Sequence, residues 1–267
     1  MGLPADAALP PLPPIPMADP VLSATESASW RPYLREFAML FLAISLGFVV
    51  DNYREYLSDR ERERVLMRQV MDDLRADIAN ADSNLVMRDW RAAKMDSLLD
   101  LHDAGIARER AGDVYYFSMA VRQTYQFTPH GGAFSQLENG GGLQLITKPE
   151  VLSALQGYRA AVQWLMTMQA LETDQIQRYR NGPFLRMLDP AVLRRITHTE
   201  IQDLSRRIVR PEGPVQLVDL SAGTMNEYFA LVLNMSAFNG TCRRIVGDVG
   251  QHAERVAQLI ATTYGFE

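Results

Sequence analysis

Residues 37–50 read FAMLFLAISLGFVV, fourteen positions without a charge and apolar on every side apart from Ser45 and Gly47. A helix that is apolar all round must be covered all round, by other helices or by lipid, so this run constrains the fold more than any other feature. Fourteen helical residues rise about 21 Å, short of a hydrocarbon core of roughly 30 Å. Counting from Pro32 gives nineteen residues, or about 28 Å. Arg35 sits near one end, where arginine snorkels, and Trp30, Tyr33 and Tyr53 stand where interfacial aromatics belong. The other helices of the chain read as one-faced and offer no all-round cover, so residues 32–52 are expected to form a transmembrane helix with the lipid bilayer as partner. A cleaved signal peptide fits poorly, because no small-x-small site follows the run and no basic segment opens the chain.

Ahead of the run, residues 1–29 hold half of the chain's 14 prolines and no lysine or arginine. That composition reads as a disordered, polyproline-like spacer. Behind it, residues 53–267 have ordinary globular composition and read as a helical bundle. Between Tyr33 and Phe127 there is no proline, and between Gly47 and Gly105 no glycine, so the helix is expected to run on for many turns. Past a charged SDRERER stretch, Leu66, Val70, Leu74, Ile78, Ala81 and Leu85 recur at spacings of four and three, an amphipathic pattern. Gly105 and Gly112 are expected to end it, with Asp113 capping a helix that reaches about Tyr125.

Further helices are expected over 133–139, 147–180, 190–196 and 199–208, with LQLI at 143–146 and VQLV at 215–218 as short extended pieces. The last segment has the most regular pattern. Tyr228, Val232, Met235, Asn239, Cys242, Val246, Val249, Ala253, Val256 and Ile260 alternate steps of four and three, a seam of coiled-coil type that calls for a long partner helix in this chain or in a second copy. The fold expected is all-α.

The chemistry-bearing residues are sparse. A net charge of -5 over 267 residues gives no basic footprint for nucleic acid. The one cysteine, Cys242, excludes an intramolecular disulfide and reads as a small apolar seam residue. His102, His130, His198 and His252 are scattered; none stands in a Glu-x-x-His or His-Glu-x-x-His pair, so neither a metal nor another cofactor is expected. Cys242 and His252, ten residues apart on one helix, are separated by about 15 Å, too far to act as nucleophile and base. Gly140, Gly141 and Gly142 lack the Gly-Lys-Ser/Thr of a phosphate loop and read as a turn. Asp72, Asp73 and Asp77, like the SDRERER run, read as a solvated face or as interhelical pairs. No catalytic residue is assigned.

Two passages carry a resemblance. Glu36 opens the apolar run, which ends in Asp51-Asn52-Tyr53-Arg54-Glu55 and is followed by a charged helix with Leu74. Phe134, Leu137, Gly141, Leu143, Leu145 and Ile146 form a Leu-x-x-x-Gly-x-Leu-x-Leu-Ile passage with a phenylalanine ahead of it. Together they resemble a bacterial family, of unknown activity, of small single-pass membrane proteins with a glutamate-led apolar helix ending in an Asn-Trp-Asn-Glu-like signature. Here Tyr53 replaces the tryptophan, a proline-rich tail replaces a basic one, and the match fades after about Tyr158. The resemblance implies an inner-membrane protein whose larger part is periplasmic, and it supplies no catalytic residues. The arginines imply the opposite orientation: Arg31 and Arg35 lie at the N-terminal side of the apolar run, while Arg54, Arg60, Arg62, Arg64 and Arg68 follow it.

These readings favour a membrane-anchored interaction or assembly module of the cell envelope, working through a second copy or an envelope protein. The alternatives are an envelope enzyme acting on lipid or cell wall, with a cleft near residues 131–142, and a soluble bundle that buries residues 37–50. Because residues 1–29 have no periodic apolar face to bury, their deletion should leave the thermal unfolding midpoint of the remaining chain unchanged. A large downward shift on scanning calorimetry would contradict it.

Overall fold

The computed structural model describes residues 30–105, 107–139, 141–197 and 208–266. The proposed tail at 1–29, most of the expected helix at 199–208, His198 and Gly140 lie outside these residues. The protein is all-α, and among the described residues no strand forms beyond a single antiparallel bridge between Thr197 and Ile208. Contacts divide the chain into a first unit, Met1–Glu55, and a second, Tyr56–Glu267.

In the first unit the described residues belong to helix α1 (Trp30–Asp103). Its large apolar side chains from Trp30 to Tyr53 are 51–73% exposed, with no cover among the described residues. This is the one helix among the described residues long and apolar enough to cross a membrane.

In the second unit α1 meets two other long helices, α4 (Pro149–Asn181) and α7 (Ala222–Tyr264). The direction of each follows from its core partners. Met67, Val70 and Leu74 of α1 share a cluster with Val151 and Leu155 of α4 and with Ala253, Val256 and Ile260 of α7. Met95 and Leu98 share another with Ile176 and Tyr179, and with Tyr228 and Val232. Helices α1 and α4 therefore run parallel, and α7 runs against both. Short helices α2 (Ala111–Val121), α5 (Pro183–Met187) and α6 (Pro190–Ile196) pack at the Tyr228 end, and α3 (Gly132–Asn139) at the Ile260 end. At the middle, Gly250 of α7 lets its backbone come close to α1: a Cβ there would stand 3.2 Å from that of Ala81.

All ten residues of the α7 pattern are at most 1% exposed, facing α1 and α4 of the same chain. On α1 a buried seam runs through Glu63, Met67, Val70, Leu74, Asp77, Ala81, Asn84, Arg88, Arg91, Met95 and Leu98, again in steps of four and three, with Met71 and Leu101 buried beside it. Of the expected stripe, Val70, Leu74 and Ala81 are on this seam, whereas Leu66, Ile78 and Leu85 are only partly buried and their neighbours Met67, Asp77 and Asn84 take the seam positions. Five seam positions are polar, and an apolar-only reading passes over them.

Several local expectations are corrected. Helix α2 stops at Val121, not near Tyr125, because the carbonyls of Val121 and Tyr125 accept hydrogen bonds from arginines of α1. Asp113 lies in the first turn of α2 and pairs with Arg110 and Arg210; the cap position is Arg110, which makes no side-chain cap bond. Gly105 (φ 67°) follows the end of α1, whereas Gly112 is inside α2. The LQLI passage is a 3-10 turn, Gly142–Leu145, rather than an extended piece. Gly141 has φ 70°, and a Cβ on Gly142 would sit 2.9 Å from Leu137 Cδ2, so the two glycines fold the turn tightly onto α3. VQLV is likewise no strand; Val218 N–H donates a lone bond to the Met187 carbonyl at 2.8 Å.

Residues 122–131 form an extended strap that returns from the α2 end of the bundle to α3. At its centre the Gln169 amide of α4 acts as a strand neighbour, accepting from Phe127 N–H (2.7 Å) and donating to the Phe127 carbonyl (3.2 Å). Replacing Gln169 by leucine leaves both backbone groups buried without a partner. The loss should be about 2–4 kcal/mol, read as a lower denaturant midpoint with unchanged slope.

Candidate functional site

Two polar constellations lie in the second unit, both built on the α1 seam. The first is a buried layer. Arg88 Nη1 and Nη2 clasp the Glu172 carboxylate of α4 at 3.0 Å each. Its Nε donates to Asn84 Oδ1 (2.8 Å), and Nη1 also reaches Asn239 Oδ1 of α7 (3.3 Å). Arg91 Nη1 reaches Glu172 Oε1 at 2.7 Å, and its Nε donates to the Val121 carbonyl at 3.0 Å. Asn239 Nδ2 donates to the Arg88 backbone carbonyl at 3.0 Å. Two guanidinium groups thus share one carboxylate with both arginine side chains wholly buried. Burial lowers the Arg91 pKa against the pull of Glu172, the cost of holding a cation in low dielectric. Arg91 Nη2 and Tyr125 Oη have no hydrogen-bond partner among the described residues, and burial pushes the Tyr125 phenol up to about 12.

The second constellation borders a cleft of about 240 Å³ between α1, α4 and the junction of strap and α3. Val70, Leu74, Phe134, Leu155, Val162 and Met166 form its apolar wall. Asp77, nearly buried, receives the His130 backbone N–H (2.7 Å) and ring Nδ1 (3.0 Å) on one oxygen and the Tyr158 hydroxyl (2.6 Å) on the other. A carboxylate opposite Nδ1 makes that nitrogen the donor, which leaves Nε2 of a neutral imidazole as an acceptor. Burial and the Asp77 charge hold the Tyr158 phenol strongly protonated. One turn earlier, Asp73 Oδ2 accepts from Ala133 N–H in the first turn of α3 at 2.9 Å. Glu63 does the same further along, accepting from Thr147 N–H (2.8 Å) and the Tyr264 hydroxyl (2.7 Å). The acidic residues read as a solvated face or as interhelical pairs are, at Glu63, Asp73 and Asp77, acceptors for the backbone between α2 and α4, and Asp77 also meets Tyr158 of α4.

The residues singled out from the sequence separate by role. Phe134 walls the cleft, Leu137 and Ile146 enter the core beside Ala253, Val256 and Ile260, Leu143 packs against that core, and Leu145 is half-exposed. Asn239 and Cys242 bring α7 to the buried layer, Asn239 through Arg88 and Cys242 beside Glu172. His102 stacks on Phe229, and His252 packs against Gly157 and Tyr158. Among the described residues no group of three or more His, Cys, Asp or Glu side chains could hold a metal ion. Arg88, Arg91 and Glu172 escaped the sequence reading. The available signal was their place on the four-three pattern, where a charge must find a buried partner.

Burial and the Glu172 charge raise the Cys242 thiol from 9.0 to about 11. The protonated thiol is thus favoured in the folded protein, and its stability contribution is complete below pH 9 and lost as pH rises through about 11. Cys242→Ala should flatten the fall in unfolding free energy between pH 9 and 11, measured by urea titration. An unchanged slope would show that the thiol does not titrate with folding.

Comparison with protein-family models, with curated proteins and with solved structures finds no match to this chain.

Proposed function

We propose that the protein is a single-pass inner-membrane protein whose helical bundle serves in the periplasm as an interaction or assembly module of the cell envelope. The observation that carries the reading is the exposed apolar stretch of α1: side chains such as Phe37, Leu42 and Phe48 are 60–70% exposed with nothing among the described residues over them. Exposing so large a continuous apolar surface to water is unfavourable, and lipid is the simplest cover for a helix apolar on every side. The aromatic residues Trp30, Tyr33 and Tyr53 bracket the run as interfacial anchors do. The same exposure weighs against a soluble bundle that buries this helix. Membership of the bacterial single-pass family that the Glu36 and Leu137–Ile146 passages resemble, and the periplasmic orientation that goes with it, belong to this proposal.

A second reading is favoured by the cleft beside Gly131: an envelope enzyme or ligand-binding protein, with the Asp77–His130 pair at its polar end. The bundle is the same in either case.

Sidedness and anchoring are tested together. The protein should resist extraction by high salt and alkaline carbonate and be released by detergent. A reporter active only after export should work when fused behind Glu267, and one active only in the cytoplasm should not. Release by salt alone removes the anchor, and cytoplasmic activity alone reverses the orientation, as the arginine distribution would have it.

A further inference from the structure

We propose that the cleft between α1, α3 and α4 is a binding site for a small amphiphilic cation, an alkylammonium with one short aliphatic chain. The inference concerns the second unit alone and does not rest on the membrane reading.

Size and wall chemistry set the tail. The cleft, about 240 Å³, is half as large again as the roughly 150 Å³ cavity known to hold benzene, so it admits a chain of about six to eight carbons. Its wall is aliphatic and aromatic, with no polar group along Val70, Leu74, Leu155 and Val162. Burying each methylene of a ligand there should tighten binding about fourfold.

Charge sets the head. Asp73 and Asp77 both border the cleft, and no arginine or lysine among the described residues pairs with either. Among the described residues Arg159 is the one arginine or lysine on the rim, and it is engaged by Glu138 and lies over the Phe134 ring. The cleft therefore carries uncompensated negative charge. Its hydrogen-bonding is equally one-sided. Asp77 is fully engaged by its three donors. Asp73 has one oxygen on Ala133 N–H and the other without a protein partner among the described residues. A head that brings positive charge and several N–H donors answers both; a carboxylate or phosphate head meets like charge and acceptors. Ammonium is the simplest group of that kind.

The test titrates the purified full chain at pH 7.5, in whichever buffer or detergent keeps it monodisperse, with butylamine, hexylamine, hexanol and hexanoate, using the same solution without protein as the blank. Hexylamine should bind saturably, about sixteenfold tighter than butylamine and at least tenfold tighter than hexanol or hexanoate. Asp73→Asn keeps the acceptor for Ala133 N–H and removes the charge, so it should lower hexylamine affinity tenfold or more while leaving hexanol unchanged. Ser135→Trp, at an exposed α3 position on the rim, should abolish binding of every member without shifting the unfolding midpoint. Hexanoate or hexanol binding as tightly as hexylamine overturns the cationic head. Absence of saturable binding by all four, or binding that survives Ser135→Trp in a protein with unaltered unfolding, overturns the site.

Discussion

A backbone that leaves helix geometry inside a protein must find partners for every N–H and C=O it buries, and the second unit is organised around that demand. The strap must travel from the Arg91 level of α1 back to the Asp73 level. Eighteen helical residues separate those levels, about 27 Å. The twelve residues from Val121 to Ala133 would cover only about 18 Å as a helix, so the chain must extend. Once extended it cannot serve its own polar groups. Helix α1 serves them instead: Arg91 to the Val121 carbonyl, Arg88 to Tyr125, Asn80 to Thr128, Asp77 to His130 N–H and Asp73 to Ala133 N–H. Gln169 of α4 closes the gap at Phe127. Donors face carbonyls at one end and carboxylates face N–H groups at the other.

The charged layer follows from the same demand. Having placed two guanidinium groups under the strap, the bundle needs an acid opposite them, and Glu172 on α4 supplies it. Asn239 then ties α7 to Arg88 twice, by its carbonyl to the guanidinium and by its amide to the backbone. Clusters of this kind contribute little over well-packed apolar side chains, and breaking one is costly. Their physical effect is therefore on alignment. A slide of α7 by one turn would leave the apolar pairs roughly interchangeable, because Val232, Val246, Val249 and Val256 repeat one another, yet it would strip Asn239 from Arg88.

Legibility in the sequence tracks this division. The long helices were visible because their cores are apolar and periodic: the α7 pattern from Tyr228 to Ile260 coincides with its buried face, and Pro149 and Pro190 mark the starts of α4 and α6. The α1 face was legible only in part, at Val70, Leu74 and Ala81, because Glu63, Asp77, Asn84, Arg88 and Arg91 look solvated to any reading that equates charge with surface. The strap was invisible for a complementary reason. Nothing in residues 122–131 announces that their hydrogen bonds lie 37 to 53 positions away on another helix. The cleft inherits both difficulties, since Asp73, Asp77 and His130 belong to the tie between α1 and strap, and only Pro129 and the glycines at 131 and 132 hinted that the chain turns there.

The mismatch between the span of the strap and its contour has a consequence for how this chain tolerates length changes. Fully extended, twelve residues reach about 40 Å, well beyond the distance the strap covers, so it holds slack. Between its anchored points one inserted residue could bulge outward and leave the flanking bonds in place. Helix α1 has no slack. One residue inserted between Asp77 and Arg88 turns everything on one side of it by about 100°, which would carry either the acidic acceptors or the guanidinium groups off the strap entirely. Natural length variation should therefore concentrate in the irregular segment, while the helix beneath it keeps its count.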